Sequence, residues 1–173
     1  LMQTNPHSKL GKGMMIAGWA IALLILTSIF AKFESSQNNP NQQLEVTQTV
    51  NGEVQVHLKR NRYGHYVLTG QINQKDVTFL VDTGATYVSV PEAVAEQLGM
   101  IKQGQGYVQT ANGTVTVYYS TIRQLTIGDI ELYDVPANIN PHMDDDEVLL
   151  GMSALKHVEF TQRGNTLILK TSS

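Results

Sequence analysis

Hydrophobic positions along this chain fall into two regimes. Residues 13–31 form an uncharged run dominated by Met, Ile, Leu, Ala and Phe. From about residue 54 onward, apolar positions instead come in short runs separated by turn-forming residues. The first pattern predicts a helix with no polar face. A bilayer-spanning helix needs about 20 apolar residues, and this run just reaches that length. The second pattern predicts strands. Between the two, residues 34–49 open with Glu34-Ser35-Ser36-Gln37-Asn38-Asn39-Pro40-Asn41 and stay polar, nearly uncharged and aperiodic. That is the composition of a flexible spacer. The pattern thus divides the chain into a flank (1–12), a membrane anchor (13–33), a linker (34–49) and a folded domain (50–173).

Within the domain, Val54, Val56 and Leu58 alternate with polar residues. Runs over 66–72 and 77–81 flank Asn73-Gln74-Lys75-Asp76, which reads as a hairpin turn. Residues 87–90 form a further strand. Residues 91–98 are the one convincing helix, with Pro91 at its start and Gly99 just past its end. Strands over 107–110 and 114–119 enclose Ala111-Asn112-Gly113. Asn-Gly between alternating runs is a strong hairpin signal. Gly128-Asp129 joins short strands over 125–127 and 130–132. A short buried strand over 148–151, a short helix over 152–157 and a strand over 166–170 complete the reading. It predicts an all-β class with one or two short helices.

Charge orients the anchor. Lys9 and Lys12 precede the apolar run, while Lys32 follows it with Glu34 nearby. The modest bias places the N-terminus in the cytoplasm and the domain outside it. The competing reading is a cleaved signal peptide, which needs a small-x-small site. Ile29-Phe30-Ala31 puts a large residue where a small one belongs, so an uncleaved anchor is expected.

Composition removes several chemistries. The 173 residues are 16% charged with net charge −3, which gives no basic footprint for nucleic acid. Without cysteine there is no disulfide, thiolate metal site or cysteine nucleophile. His7, His57, His65, His142 and His157 lack metalloprotease spacing and read as surface or half-buried residues. Asp144-Asp145-Asp146-Glu147 lacks the ligand spacing of a calcium loop and reads as solvated. Gly151-Met152-Ser153-Ala154-Leu155 lacks the closing glycine of a nucleophile elbow. No metal or cofactor is expected.

The chemistry-bearing motif is Asp82-Thr83-Gly84-Ala85, at the end of the apolar strand Val77-Thr78-Phe79-Leu80-Val81. Burying a carboxylate costs free energy unless hydrogen bonds or a shared proton compensate. Gly84 lets the backbone approach the carboxylate. Two such carboxylates sharing one proton can activate water against a peptide carbonyl. The Asn-Gly hairpin follows about thirty residues later, and Leu149-Leu150-Gly151 with its short helix about forty residues after that.

With Gly64-His65-Tyr66, Leu80-Val81-Asp82-Thr83-Gly84-Ala85, Thr110-Ala111-Asn112-Gly113 and Leu149-Leu150-Gly151-Met152 in this order, the chain resembles the retropepsin-like (clan AA) aspartic proteases, in particular their bacterial, membrane-anchored, single-domain members. The resemblance covers residues 63–169. It implies a closed, β-barrel-like acid-protease fold with Asp82, Thr83 and Gly84 as the catalytic motif. Thr110, Ala111, Asn112 and Gly113 would belong to a flap over the substrate. Ala85, Leu150 and Gly151 would contribute to the floor, and the Leu149-Leu150-Gly151 strand would brace the active-site loop. One Asp-Thr-Gly per chain implies a homodimer, with Thr83 holding the two loops together across the two-fold axis. Pepsin-like enzymes carry Ser or Thr where this chain has Ala85. One fewer donor to the carboxylate implies a less depressed pKa and a weakly acidic optimum. The function so implied is an endopeptidase acting on polypeptides, held in a bacterial inner membrane with its domain in the periplasm. The alternative is a catalytically silent module that binds extended peptides.

Overall fold

The computed structural model describes residues 6–110 and 113–171. The chain forms two compact units, Leu1–Gln37 and Asn38–Ser173. The first is built on one helix, α1 (Pro6–Asn38). Along it Met14, Trp19, Leu24 and Phe30 are all exposed. The helix is long and apolar enough to cross a membrane. Two hydroxyls in its apolar stretch are satisfied locally: Thr27 Oγ1 and Ser28 Oγ donate to the Leu24 carbonyl at 3.0 and 2.8 Å. A polar group in an apolar medium needs such an internal partner.

The second unit is mostly β. In chain order it comprises β1 (Glu45–Gln48), β2 (Val54–Lys59), β3 (Val67–Ile72), β4 (Lys75–Val81), β5 (Val88–Pro91), α2 (Glu92–Leu98), β6 (Gly104–Thr110), β7 (Gly113–Ile127), β8 (Ile130–Asn140), β9 (Glu147–Leu150), α3 (Met152–Leu155), β10 (Val158–Arg163) and β11 (Thr166–Thr171). Seven strands form one sheet in the order β3-β4-β9-β5-β8-β7-β6. Strand β7 also reaches back to β3 through Gln71↔Thr126 and Ile72↔Leu125, which curls the sheet toward closure. The other four strands pair as β1-β2-β11-β10.

The alternation read from sequence explains the core. Leu68, Ile72, Phe79, Ile122, Leu125, Ile139, Val148 and Leu150 all point inward and are fully or almost fully buried. Gly70 interrupts β3 because the Phe79 ring lies over it. A Cβ there would stand 2.9 Å from that ring and 2.6 Å from the Thr126 carbonyl. The β3–β4 turn is tighter than expected. Ile72 pairs with Lys75, leaving Asn73 and Gln74 as a two-residue connection with φ of 49° and 67°. Mirror-image turns of this kind match the twist of the strands they join. Helix α2 ends as its sequence predicts, with Gly99 in the left-handed conformation.

Four further features depart from the sequence reading. Residues 114–119 and 125–127 are not separate strands but parts of the continuous β7. Ser120 and Ile122 alternate inward between them, so polar composition had masked the period. Strand β8 runs on to Asn140. Strand β10 was not anticipated, since Val158 is its single buried position. Finally, the linker expected over 34–49 is largely structured: α1 continues to Asn38, and β1 pairs with β2.

The physical reason for the last departure is Asn41, which is only 3% exposed. Its Nδ2 donates to the carbonyls of Lys59 and Val67 at 2.9 and 2.7 Å, and its Oδ1 accepts the Lys59 N–H at 2.6 Å. One amide thereby satisfies backbone groups where the chain leaves β2 and enters β3. The folded unit therefore begins at Asn38 rather than at residue 50.

Two expectations follow. Asn41→Ala strands three backbone partners, the Val67 carbonyl buried and the two Lys59 groups partly buried, and a buried group left unsatisfied costs about 1–3 kcal/mol. It should lower unfolding free energy in urea by about 3 kcal/mol, whereas a spacer residue would change nothing measurable. Glu147, at the start of β9, has its pKa raised, first by burial and then by Asp145, with His65 opposing. A carboxyl raised on folding stabilises the fold below its unfolded pKa, and that contribution is lost as pH rises through the folded value. Glu147→Gln should therefore raise the melting temperature near pH ~7 and leave it unchanged near pH ~4. An equal effect at both pH values would contradict this.

Candidate active site

Strand β4 delivers Asp82 to its position. Val81 pairs with Leu150 in the parallel β4–β9 ladder, and the Asp82 N–H donates to the Leu150 carbonyl at 3.2 Å. The chain then turns. The Gly84 N–H donates to Asp82 Oδ1 at 2.8 Å, and the Ala85 N–H donates to the Asp82 carbonyl at 3.3 Å. A Cβ on Gly84 would lie 3.2 Å from Asp82 Oδ1, so glycine keeps this approach unstrained. Asp82 is half-buried, whereas Thr83 and Gly84 are exposed.

The far side of this loop is pinned by α3. The Met152 and Ser153 N–H groups donate to the Ala85 and Thr86 carbonyls at 2.8 and 2.9 Å. Ser153 Oγ accepts the Val88 N–H at 2.9 Å and donates to the Pro136 carbonyl at 2.6 Å. Both hydrogen-bonding capacities of this buried hydroxyl are thus used to tie β5 to β8. Ser153 is a structural serine and not a nucleophile. Gly151 makes the packing feasible: a Cβ there would stand 2.2 Å from the Tyr87 carbonyl oxygen and 2.7 Å from that of Ala85.

Asp82 opens into a groove of about 690 Å³. Gly84, Ala85 and Thr86 line it on the loop side, and Tyr107, Gln109 and Thr110 of β6 line it opposite. Asp82 is the single carboxylate among the described residues that line it. The β6–β7 hairpin pairs in register from Gly104↔Tyr119 to Thr110↔Gly113. Thr110 Oγ1 donates to the Gly113 carbonyl at 2.8 Å. Gly113 has φ of 113°, a conformation that favours glycine. Ala111 and Asn112 lie outside the described residues. At the base of the hairpin, Tyr119 packs over Gly106 and meets Tyr87 edge-on at 5.9 Å between centroids.

The structure brings Asp82, Gly84, Ala85 and Thr110 together on one groove. It does not place Leu150 or Gly151 on its lining. Leu150 is fully buried in the core, its neighbour Leu149 faces the groove instead, and Gly151 acts from beneath as the contact just described. The sequence reading also missed Tyr87, Ser89, Asn138 and Asn140, all of which line the groove. The available signal was Asn138-Ile139-Asn140: asparagine is depleted in strands, and two at period two share one face. Among the described residues no three His, Asp or Glu side chains gather to hold a metal ion. Asp144, Asp145 and Asp146 are exposed.

Comparison with known proteins agrees with this geometry. The family described as "gag-polyprotein putative aspartyl protease" matches residues 68–157. That stretch is more than half of the chain and holds both the Asp82 loop and the α3 brace. The chain belongs to the retropepsin-like aspartyl protease family. The crystal structure of a retropepsin-like aspartic protease from Rickettsia conorii superposes with a TM-score of 0.59 at 26% identity, over 75% of this chain and 94% of that one. The mostly β retropepsin-like fold with short helices is thereby established. A Sinorhizobium protein, described as uncharacterized and lying in the cobV 5′ region, is 28% identical over 167 residues, which is 89% of this chain and 71% of that protein.

If Gly151 sets the loop as described, Gly151→Ala should destabilise the fold by more than about 3 kcal/mol, because the added methyl meets backbone on two sides. Gly99→Ala, with open space around it, should cost only about 1 kcal/mol for its left-handed conformation. Denaturation midpoints of the two variants check this. Equal costs would show that the close approach at Gly151 relaxes freely.

Proposed function

We propose that this protein is a membrane-anchored aspartic endopeptidase, active as a homodimer in which two Asp82 carboxylates share one proton. The observation that carries the proposal is that one carboxylate, oriented by the Gly84 N–H, stands alone among the described residues lining a peptide-sized groove. Hydrolysis needs a base and an acid. The ionised Asp82 takes a proton from water as it attacks the scissile carbonyl, and the protonated Asp82 of the second copy donates to the carbonyl oxygen. The resulting diol collapses, with a proton passing to the leaving amine. A single chain supplies half of this machinery. Exposed Thr83 is free to meet its counterpart across a two-fold axis. The β6–β7 hairpin, carrying Thr110 and Gly113, closes over the peptide and excludes water. Ala85 donates nothing to the carboxylate through its side chain, which favours a weakly acidic optimum.

Helix α1 serves as the anchor. Its apolar surface is exposed along its length, and a match over 89% of the chain to the Sinorhizobium protein extends into this first unit. Lys9 and Lys12 orient the flank toward the cytoplasm and the protease domain toward the periplasm of a bacterial inner membrane. Anchoring raises the effective concentration of protomers and so favours the dimer.

Asp82→Asn should lower peptide hydrolysis about 10³-fold or more while leaving the unfolding midpoint within error. A soluble fragment starting at residue 38, which retains Asn41 and β1, should gain specific activity with concentration, in step with dimer formation by sedimentation. Retained activity in the Asp82→Asn chain, or full activity in a strict monomer, would overturn the proposal.

A further inference from the structure

The floor of the groove carries polar groups that the Asp82 chemistry does not use. Strand β8 ends in Asn138-Ile139-Asn140, and both asparagines are buried, at 3% and 7% exposure, while lining the groove. Each has its carbonyl oxygen engaged. Asn138 Oδ1 accepts from Ser89 Oγ at 2.6 Å, and Asn140 Oδ1 accepts the His142 N–H at 2.9 Å. The His142 N–H can only donate, so it fixes the Asn140 amide with its oxygen inward, and the Ser89 hydroxyl holds Asn138 in the same sense. Neither Nδ2 donates to another described residue. Neither is among the buried atoms that lack a partner, so each keeps some solvent contact, and both residues line the groove. Two residues apart on one strand, the side chains share a face and stand about 7 Å from each other. The floor therefore presents a pair of amide donors whose carbonyl oxygens are each already engaged in a hydrogen bond.

Such a surface discriminates by what it leaves unpaired. An aliphatic side chain laid over it would strip water from two amide donors and return nothing. A lysine or arginine would bring donors against donors. A carbonyl oxygen pairs with either amide at no such cost. An extended peptide lying along β6 directs alternate side chains toward the floor.

We propose that Asn138 and Asn140 are specificity-determining residues that select a substrate side chain ending in a carbonyl oxygen, a carboxamide or a carboxylate, close to the scissile bond. This inference rests on reading the groove as a peptide channel.

The test separates recognition from catalysis. Full-length Asp82→Asn protein in detergent is titrated by fluorescence anisotropy with labelled peptides in which one residue, scanned along the sequence, is Gln, Glu, Leu or Lys. At one position Gln or Glu should bind about tenfold or more tighter than Leu and Lys. Preference for Gln alone identifies the carboxamide as the ligand, and preference for Glu alone the carboxylate. Asn138→Asp keeps an oxygen for the Ser89 hydroxyl but replaces the donor with an acceptor, so in this background the preference should move toward Lys. Asn140→Asp, which keeps the acceptor for the His142 N–H, is the second variant and should shift it the same way. Equal binding of all four peptides, tighter binding of Leu, no binding of any, or an unchanged preference in both variants would overturn the proposal. The Gln or Glu preference together with no hydrolysis by the wild-type chain would leave the floor standing and refute the protease reading instead.

Discussion

The candidate site depends on one close approach of backbone to backbone. Gly151 sits beneath the Asp82 loop with no room for a Cβ, and the first residues of α3 donate from there to the Ala85 and Thr86 carbonyls. Strands β4 and β9 run parallel up to this point, so the end of one supplies Asp82 and the end of the other supplies the brace. Ser153 extends the brace to β5 and β8. A carboxylate on a free loop would rotate into solvent. Here it is held by main-chain bonds that substitutions on the loop's own side chains leave intact. Preorganised polar groups of this kind stabilise charge without reorganising during reaction.

That arrangement was legible in sequence because it needs residues with no substitute. Gly151 has no room for a Cβ, Gly84 lets its N–H approach the Asp82 carboxylate closely, and Asp82 brings the carboxylate itself. The Asp-Thr-Gly motif at the end of an apolar run stands out for the same reason. Helix α2, bounded by Pro91 and Gly99, was legible because its ends carry their own stop signals. The features that escaped reading are those in which a polar residue does an interior task. Asn41 looks like spacer composition, yet it knits β2 to β3 from a buried position. Asn138 and Asn140 look like breakers of β8, yet they face the groove. Ser120 hid the continuity of β7 in the same way. Hydrophobic periodicity reports apolar burial and is silent where amides and hydroxyls are buried with partners.

On the proposed reading the groove is half of a catalytic site. Asp82 lies in a cleft with one hairpin on the opposite wall, and no other described lining residue carries a carboxylate. The folded unit is small and starts directly after an apolar helix able to cross a membrane. On the proposed reading, in which α1 anchors a homodimer, confinement to two dimensions would favour assembly, activity would follow protomer density at the membrane, and the same chain would fall silent when diluted.

The account turns on two Asp82 carboxylates acting on one water, and mixing tests this directly. Wild-type and Asp82→Asn chains are co-refolded in varying ratio at constant total concentration, and peptide hydrolysis is followed against the wild-type fraction. If each active dimer needs both carboxylates, activity falls as the square of that fraction, to about a quarter in an equal mixture. A linear fall, with about half the activity remaining in the equal mixture, would show that one Asp82 suffices and contradict the account.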